Sequence, residues 1–264
     1  MTLASDNGRI GRVQHQRQQE IYRMAVRDGA VDVAELARHF DVTTETIRRD
    51  LSELQARELV RRVHGGAVPA ERHRHEPMID ARDSQNAEEK LRIARAAVAQ
   101  VPDRGAVIID SGSTGQRFAE VFPVDRNVHV VTNSLGSAMT LARRGIRDLT
   151  VVGGGVRTNT LAMVDATVVE AVRRMRADVL FISCDGLSLE RGLTTPYREE
   201  YTVKRAMFDA SRWIVALVDA SKFGNEQLFG YADFSEIDVL VTDARASADD
   251  IRMIESHGVE VVVA

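Results

Sequence analysis

The sequence predicts a small α+β unit followed by a larger α/β unit built on a mostly parallel sheet. Two observations carry this. Between Arg17 and Gln55 three helical patterns follow one another and lead into a short strand pair. From Lys90 onward, apolar runs of strand length alternate with helical patterns, the arrangement of a parallel sheet covered on both faces.

The chain has 264 residues, enough for two domains, and its 44% hydrophobic and 28% charged content is ordinary for a globular protein. No run of eighteen apolar residues occurs, and the polar start MTLASDNGRIGRVQHQ has no apolar core, so neither a membrane span nor a secretory signal is expected. Cys184 is the only cysteine, which excludes an intrachain disulfide and makes the cytoplasm the expected compartment. Charge is uneven. Residues 1–75 hold 13 Arg and 11 acids, a net of +2, and the rest holds 22 cations and 28 acids, a net of −6. A mildly basic head on an acidic body fits a nucleic-acid module ahead of a larger sensor.

The first helical pattern places Ile21, Met24 and Ala25 inward and stops near Gly29. The second runs from about Val33 to Phe40, with Asp32 as cap, Glu35 as its reciprocal partner, and Leu36, Ala37 and Phe40 facing the core. Asp41-Val42-Thr43 makes the turn, and Thr43 caps a third helix from Thr44 to about Ala56. On that helix Ile47, Leu51 and Leu54 share one face, while Glu45, Arg48, Arg49 and Ser52 point away. Two adjacent arginines with short polar neighbours suit a major groove, where arginine bridges a guanine edge or holds phosphate. Thr44 donates to a phosphate near the helix start, and Thr46 joins the candidate set. In LVRRVHGGAV, Gly65-Gly66 offers a tight turn between two strands, and Arg61, Arg62 and His64 fall on the resulting wing. A solvated amphipathic helix explains an isolated arginine-faced helix; it does not explain helix, turn, arginine-faced helix and basic wing in order within forty residues.

The stretch VDVAELARHFDVTTETIRRDLSELQARELVRRVHGGAV resembles the DNA-binding signature of DeoR-type bacterial transcription regulators, with Thr43 where a serine is usual. The resemblance implies a winged helix-turn-helix over residues 14–69, its helix-turn-helix at about 30–49 and its wing at about 59–68, and a role in repressing operons for sugar use.

Residues 70–86, polar, with Pro77 inside and Pro69 just ahead, read as a linker with room for a short helix. His73 and His75 form an H-x-H pair without a third ligand nearby, so no metal site is expected.

Residues 87–264 form the α/β unit. Strands are expected at Ala106–Asp110, Val128–Thr132, Leu149–Val152, Val179–Cys184, Ile214–Val218, Val239–Thr242 and Val259–Val263. Helices are expected near Glu88–Gln100, Thr114–Val121, Leu135–Arg143, Ala166–Arg174, Glu199–Ala210 and Ala248–His257. Polar segments gather where the strands end, and in open α/β sheets those ends form the ligand crevice. The first segment is Asp110, Ser111, Gly112, Ser113, Thr114 and Gly115, whose N–H groups and hydroxyls suit a phosphate at a helix start. The others are Thr132-Asn133-Ser134, Gly153-Gly154-Gly155 as an opposing wall, Cys184-Asp185-Gly186, and a segment ending in Lys222, which neutralises an anion. Asp110 and Asp185 accept hydrogen bonds from sugar hydroxyls. The ligand these residues describe is a small phosphorylated sugar or polyol. Turn formation explains any one segment as well, but not the set.

IIDSGST, VVTNSL, VVGGGVR, DGL, GLTTP, EEYTVKRAM and VDASKFG resemble the sensor domain of the same DeoR family. By resemblance this unit is similar in fold to ribose-5-phosphate isomerase and CoA transferases. Two departures stand out: Gly115 replaces a third hydroxyl residue, and Asp165-Ala166 replaces a Gly-Pro.

The competing class is an isomerase-like enzyme fused to a DNA-binding module, with Asp185, Glu199, Glu200 and Lys204 as acid–base groups. Glu199, Glu200 and Lys204 sit on a helical pattern with Val203, Met207 and Phe208, and are expected to be ordinary surface charges; Cys184 is expected to be a small buried residue. The favoured reading is a cytoplasmic, non-enzymatic homo-oligomer, dimer or tetramer, without cofactor, partnered by double-stranded operator DNA and a sugar phosphate.

Overall fold

The computed structural model describes residue 14, residues 17–18, 20–25, 28–56, 59–63, 65–69 and 78–264. It divides into two compact units, residues 1–75 and 76–264.

In the first unit a helix, α1, passes through residues 20–25 and buries Ile21 and Ala25. Strand β1 (Val31–Asp32) leads directly into α2 (Val33–His39), then α3 (Thr44–Ala56), β2 (Val60–Val63) and β3 (Gly66–Pro69). Asp32 caps α2 by accepting from the N–H groups of Ala34 and Glu35, and Thr43 Oγ1 accepts from Thr46 N–H at 3.2 Å, as both residue types at those positions imply. Leu36 of α2, Ile47, Leu51 and Leu54 of α3, and Val60 and Ala67 of the strands close one core. The strands order β1-β3-β2, all antiparallel. The tight turn needs both its glycines. Gly65 has φ +79°, and a Cβ on Gly66 would stand 1.9 Å from the carbonyl oxygen of Val31.

The second unit begins with α4 (Ile79–Ser84) and α5 (Ala87–Ala97). The linker expected over 70–86 therefore gives way by residue 79 to a helix of the second unit; residues 70–77, with His73 and His75, lie outside the described set. The chain then alternates through β4 (Arg104–Ile109), α6 (Ser113–Val121), β5 (Asn127–Thr132), α7 (Leu135–Arg143) and β6 (Leu149–Val151). A small hairpin, β7 (Val156–Arg157) and β8 (Ala162–Met163), precedes α8 (Ala166–Arg173) and β9 (Ala177–Ile182). Next come β10 (Gly186–Ser188), β11 (Gly192–Thr195), α9 (Arg198–Asp209), β12 (Ser211–Leu217) and β13 (Phe229–Ala232). The chain closes with β14 (Val239–Thr242), α10 (Ala248–Glu255) and β15 (Glu260–Val263).

Seven strands form one sheet in the order β15-β14-β12-β9-β4-β5-β6, and every neighbouring pair is parallel. They are the seven expected from the apolar runs. Strand side chains alternate between faces. Val107, Ile109, Val179, Phe181, Val215 and Leu217 meet Ile93 of α5, Phe118 of α6 and Leu141 of α7 on one face. Ile108, Leu180, Ala216 and Leu240 meet Val168 of α8, Val203 and Met207 of α9 and Ile254 of α10 on the other. Burial on both faces is what the unbroken Val/Ile/Leu runs require, each such side chain contributing about 1.5–3 kcal/mol. The antiparallel sheet β10-β11-β13 packs Leu187, Leu193 and Tyr231 onto the second face. No helix among the described residues is long and apolar enough to cross a membrane.

Because the seven strands run parallel, their carboxyl ends lie along one edge of the sheet. Residues 110–114, 132–134 and 183–185 follow from those ends.

Candidate nucleic-acid face and ligand crevice

Helix α3 has two chemically distinct faces. Ile47, Asp50, Leu51 and Leu54 are buried, while Thr43, Thr44, Glu45, Arg48, Arg49 and Ser52 are exposed and Thr46 is half-buried. Arg48 and Arg49 hold only loose ion pairs along the helix, to Glu45 at 3.4 Å and Glu53 at 3.6 Å, so both guanidinium groups remain in water. Arg62 of the wing donates through Nη1 to Ser52 Oγ at 3.2 Å, which fixes β2 against α3. Arg61 is exposed beside it, and His64 lies outside the described residues. Asp50 was not singled out from sequence. It is buried and receives Arg17 Nε at 2.6 Å and Gln18 Nε2 at 3.1 Å, so it ties the first helix to the arginine-bearing one. Asp50 stands three residues after Ile47 and four before Leu54, within the apolar stripe; a charge at that spacing is the signal for it.

At the strand ends, α6 opens with Gly112 at its cap position and no side-chain cap. Ser113 and Thr114 are each 5% exposed, yet their hydroxyls meet no protein partner among the described residues. A Cβ on Gly115 would come 2.6 Å from the carbonyl oxygen of Asp110, so this backbone leaves no space for a hydroxyl side chain there. Asp110 is buried, and its Oδ2 receives Lys204 Nζ of α9 at 2.5 Å. The same ammonium donates to Ser183 O at 2.8 Å and lies 5.4 Å above the Tyr231 ring. Burial works against the Lys204 charge, but Asp110, Glu200 and Asp185 outweigh it and raise its pKa.

A second chain of contacts runs from α4 to the hairpin strand β7. Arg82 Nη2 pairs with Asp185 Oδ1 at 2.7 Å. Thr195 Oγ1 lies 3.0 Å from both Asp185 Oδ2 and Glu200 Oε2. Arg157 stands 3.6 Å from Glu200 and stacks at 3.7 Å on the Tyr197 ring. One hydroxyl proton cannot serve two carboxylates. The chain is satisfied when Glu200 carries a proton and donates to Thr195, which donates to Asp185. The acidities agree. Burial, then the Asp185 charge, lifts Glu200 to about 7, whereas Asp185 is held low because Arg82, Lys204 and Lys222 overcome its burial.

Glu199 is the surface charge expected on α9, but Glu200 and Lys204 are not: they are 5% and 4% exposed and join the buried polar groups at the strand ends, Thr195 and Asp110. Glu200, Val203, Lys204 and Met207 recur at i, i+3, i+4 and i+7, so the two charges occupy the buried stripe itself. Cys184 is buried, and burial pushes its thiol up to about 12, which makes it a small packing residue and not a nucleophile.

The remaining expected residues divide. Thr132 Oγ1 accepts from Ser134 N–H and Ser134 Oγ from Ser137 N–H, so both shape the start of α7. Asn133 donates to Met163 O at 3.1 Å, and its buried Oδ1 has no partner among the described residues. Gly153 and Gly154 are exposed, and their segment wraps the Asp165 carboxylate, which accepts from Gly155, Thr167 and Val168 N–H groups and caps α8. Asp165 thereby fills the place of the Gly-Pro. Lys222 is half-buried in the turn capped by Asp219, and its charge reaches Asp185 and Lys90. Among the described residues no group of three or more His, Cys, Asp and Glu gathers as a metal ion requires.

Comparison with known proteins decides the family. Residues 17–73 match the DeoR-like helix-turn-helix domain, and residues 85–244 match the DeoR C terminal sensor domain. The chain belongs to the DeoR family of transcription regulators. This DeoR-family chain is 34% identical over 247 residues to the HTH-type transcriptional regulator GlpR of Haloferax volcanii, covering 94% of this chain and 96% of that one. It is 30% identical over 248 residues to the glycerol-3-phosphate regulon repressor of Escherichia coli K12, covering 94% and 98%. A putative aga operon transcriptional repressor of Escherichia coli O157:H7 is 29% identical over 264 residues, covering 99% and 98%. Among solved structures, ribose 5-phosphate isomerase A of Methanocaldococcus jannaschii aligns over 52% of this chain and 55% of its own, with a TM-score of 0.40 and 19% identity. These relatives are named as regulators and repressors; the DeoR-family chain is a DNA-binding transcription regulator, and the isomerase reading is set aside.

Proposed function

We propose that the chain is a cytoplasmic repressor of a carbohydrate-utilisation operon and leaves its operator when a phosphorylated sugar or polyol enters the crevice of the second unit. The observation that carries the effector is the start of α6. Two nine-tenths-buried hydroxyl side chains, Ser113 and Thr114, stand without partners among the described residues on a first turn that no side chain caps. Helix N–H groups and hydroxyls there suit a phosphate. Lys222 supplies positive charge, Asp185 and the free Oδ1 of Asn133 suit polyol hydroxyls, and Asp110 positions Lys204. The names of the relatives, a glycerol-3-phosphate regulon repressor among them, favour the same ligand class.

On DNA, Arg48, Arg49, Thr44 and Glu45 enter the major groove, Thr43 and Thr46 lie at the groove edge, and Arg61 contacts the backbone from the wing. Ser52 and Arg62 hold helix and wing in register. A homo-oligomer, dimer or tetramer, presents these faces to repeated half-sites.

The test is a thermal-shift panel on the full chain, with glycerol 3-phosphate, fructose 1-phosphate, fructose 6-phosphate, deoxyribose 5-phosphate and glucosamine 6-phosphate beside their unphosphorylated parents. Ligand that binds only the folded state raises the melting temperature. One ester is expected to stabilise the chain while its parent does not, and Thr114→Ala and Lys222→Ala are expected to remove that shift. A shift unchanged in both variants overturns the crevice assignment, and a panel without any shift overturns the sugar-phosphate class.

A further inference from the structure

The first described helix of the second unit is α4, and six residues do not sustain a helix alone. Four ties hold it. Ile79 N–H donates to Asn159 O at 2.6 Å, and the Ile79 side chain is buried. Arg82 pairs with Asp185 at 2.7 Å. Asp83 receives Arg117 of α6 through Nε at 2.8 Å and Nη2 at 2.5 Å. Lys90 of α5 donates to the carbonyls of Arg82 and of Gln85, the latter at 2.7 Å, closing the far end of the helix.

These anchors belong to the parts that surround the crevice. Arg117 rides on the helix that begins with Ser113 and Thr114, and Asp185 follows β9. Of the four ties, Arg82–Asp185 alone involves a carboxylate assigned to the effector. Sequence order adds the second half of the argument: α4 follows the connector, so whatever fixes α4 fixes the point from which the chain toward the DNA-binding unit departs.

We propose that the Arg82–Asp185 ion pair is a latch through which crevice occupancy reaches the DNA-binding unit: the hydroxyls of a bound effector take over Asp185, the Arg82 guanidinium leaves it, and α4 loosens in its seat. The inference rests on the crevice being the effector site. Arg82 meets Asp185 through one nitrogen, Nη2 on Oδ1, and not as a two-pronged pair, so hydroxyls that seat on Asp185 compete with it. When α4 loosens, the first firmly seated element of the sensor is α5 at residue 87 and no longer α4 at residue 79. That lengthens the connection between the units, and in an oligomer on two half-sites the effective concentration of the second DNA-binding unit falls roughly as the −3/2 power of that length or faster. Affinity for paired half-sites drops, and affinity for a single half-site does not.

The experiment uses the full chain, a duplex with two half-sites enriched from a random library, and a shortened duplex keeping one. Arg82→Ala is expected to speed amide exchange across residues 79–86 about tenfold and to weaken two-site binding by about threefold, with one-site affinity unchanged. Arg82→Lys, which retains the charge, is expected to restore most of both. Wild type saturated with the ester that stabilises it is expected to show the same faster exchange across 79–86. Three results overturn the latch: faster exchange with unchanged two-site affinity, equal losses on both duplexes, or exchange across 79–86 that slows when the ester binds. If no ester binds, the crevice reading fails separately, and the ratio of two-site to one-site affinity in Arg82→Ala still decides the latch.

Discussion

Lys204 Nζ lies 2.5 Å from Asp110 Oδ2, and both side chains are almost wholly withdrawn from water. The pair joins α9 to the residue that follows β4. Removing one partner strands the other as a buried charge, which costs about 3–5 kcal/mol, whereas replacing both by apolar groups is close to neutral. Lys204→Met is therefore expected to destabilise the second unit by about 3–5 kcal/mol, and Lys204→Met with Asp110→Leu to recover most of that. Trp213 is the only tryptophan and sits on β12, so its fluorescence in urea follows this unit apart from the first. Equal losses in the single and double variants contradict the account.

Glu200 titrates near 7 in the fold against an ordinary value of 4.5, chiefly because it is buried and then because Asp185 is charged. Between those values the folded state holds a proton that the unfolded chain has released. Stability from this group is therefore fully present below pH 4.5 and is lost as pH rises toward 7, with a slope of at most about 1.4 kcal/mol per pH unit. Glu200→Gln keeps the hydrogen bond to Thr195 and removes the titration. Its unfolding free energy by Trp213 fluorescence is expected to gain on wild type steadily from pH 5 to pH 7 and to level off above. A constant difference across that interval contradicts the protonated chain from Glu200 through Thr195 to Asp185.

All seven strands of the parallel sheet were legible because each is marked by a Val/Ile/Leu-rich run, although the edge strands β6 and β15 are only partly buried. The strands β1, β7, β8, β10, β11 and β13 were not, since two to four residues offer too short a pattern for alternation to be seen. The site was legible where glycine and hydroxyl residues announce a loop, as in Asp110–Gly115. It was not legible where a charge hides in an apolar stripe. Asp50, Glu200 and Lys204 all stand at helical spacing with core residues, and a rule that assigns charged side chains to the surface discards them. Arg82 carried no local signal: its partner Asp185 lies 103 residues away, and only the fold brings them together.

Asp50 gives the same lesson in the DNA-binding unit. It follows directly on Arg48 and Arg49, yet it points inward and receives Arg17, which is 13% exposed, and Gln18. Asp50→Ala leaves Arg17 without its partner against the core and is expected to cost the first unit about 3 kcal/mol, with Asp50→Asn losing less because the amide oxygen still accepts. Amide exchange over residues 44–56 in the full chain measures the loss for this unit alone. Wild-type protection of those amides in Asp50→Ala contradicts the assignment.

Arg48 and Arg49 lie on one exposed surface of α3, and the wing residue Arg62 is locked to Ser52 on the same surface. The three arginines therefore have different expected signatures. An arginine reading a base edge contributes about 1–3 kcal/mol and discriminates between sequences, while one contacting phosphate weakens all sequences alike and reduces the salt slope by about 1. Arg48→Ala and Arg49→Ala are each expected to reduce affinity for the enriched duplex about 10- to 100-fold, at least one of them with relaxed base preference, and to leave the ester-induced thermal shift intact. Ser52→Ala removes the shorter of the two Arg62 guanidinium contacts to α3 without removing a charge. Its expected loss is smaller, a few-fold, with an unchanged salt slope, because it loosens the wing and leaves the number of phosphate contacts as it was. Affinity, base preference and salt slope measured on one duplex series separate these cases. Wild-type affinity in both Arg48→Ala and Arg49→Ala would remove α3 from the groove.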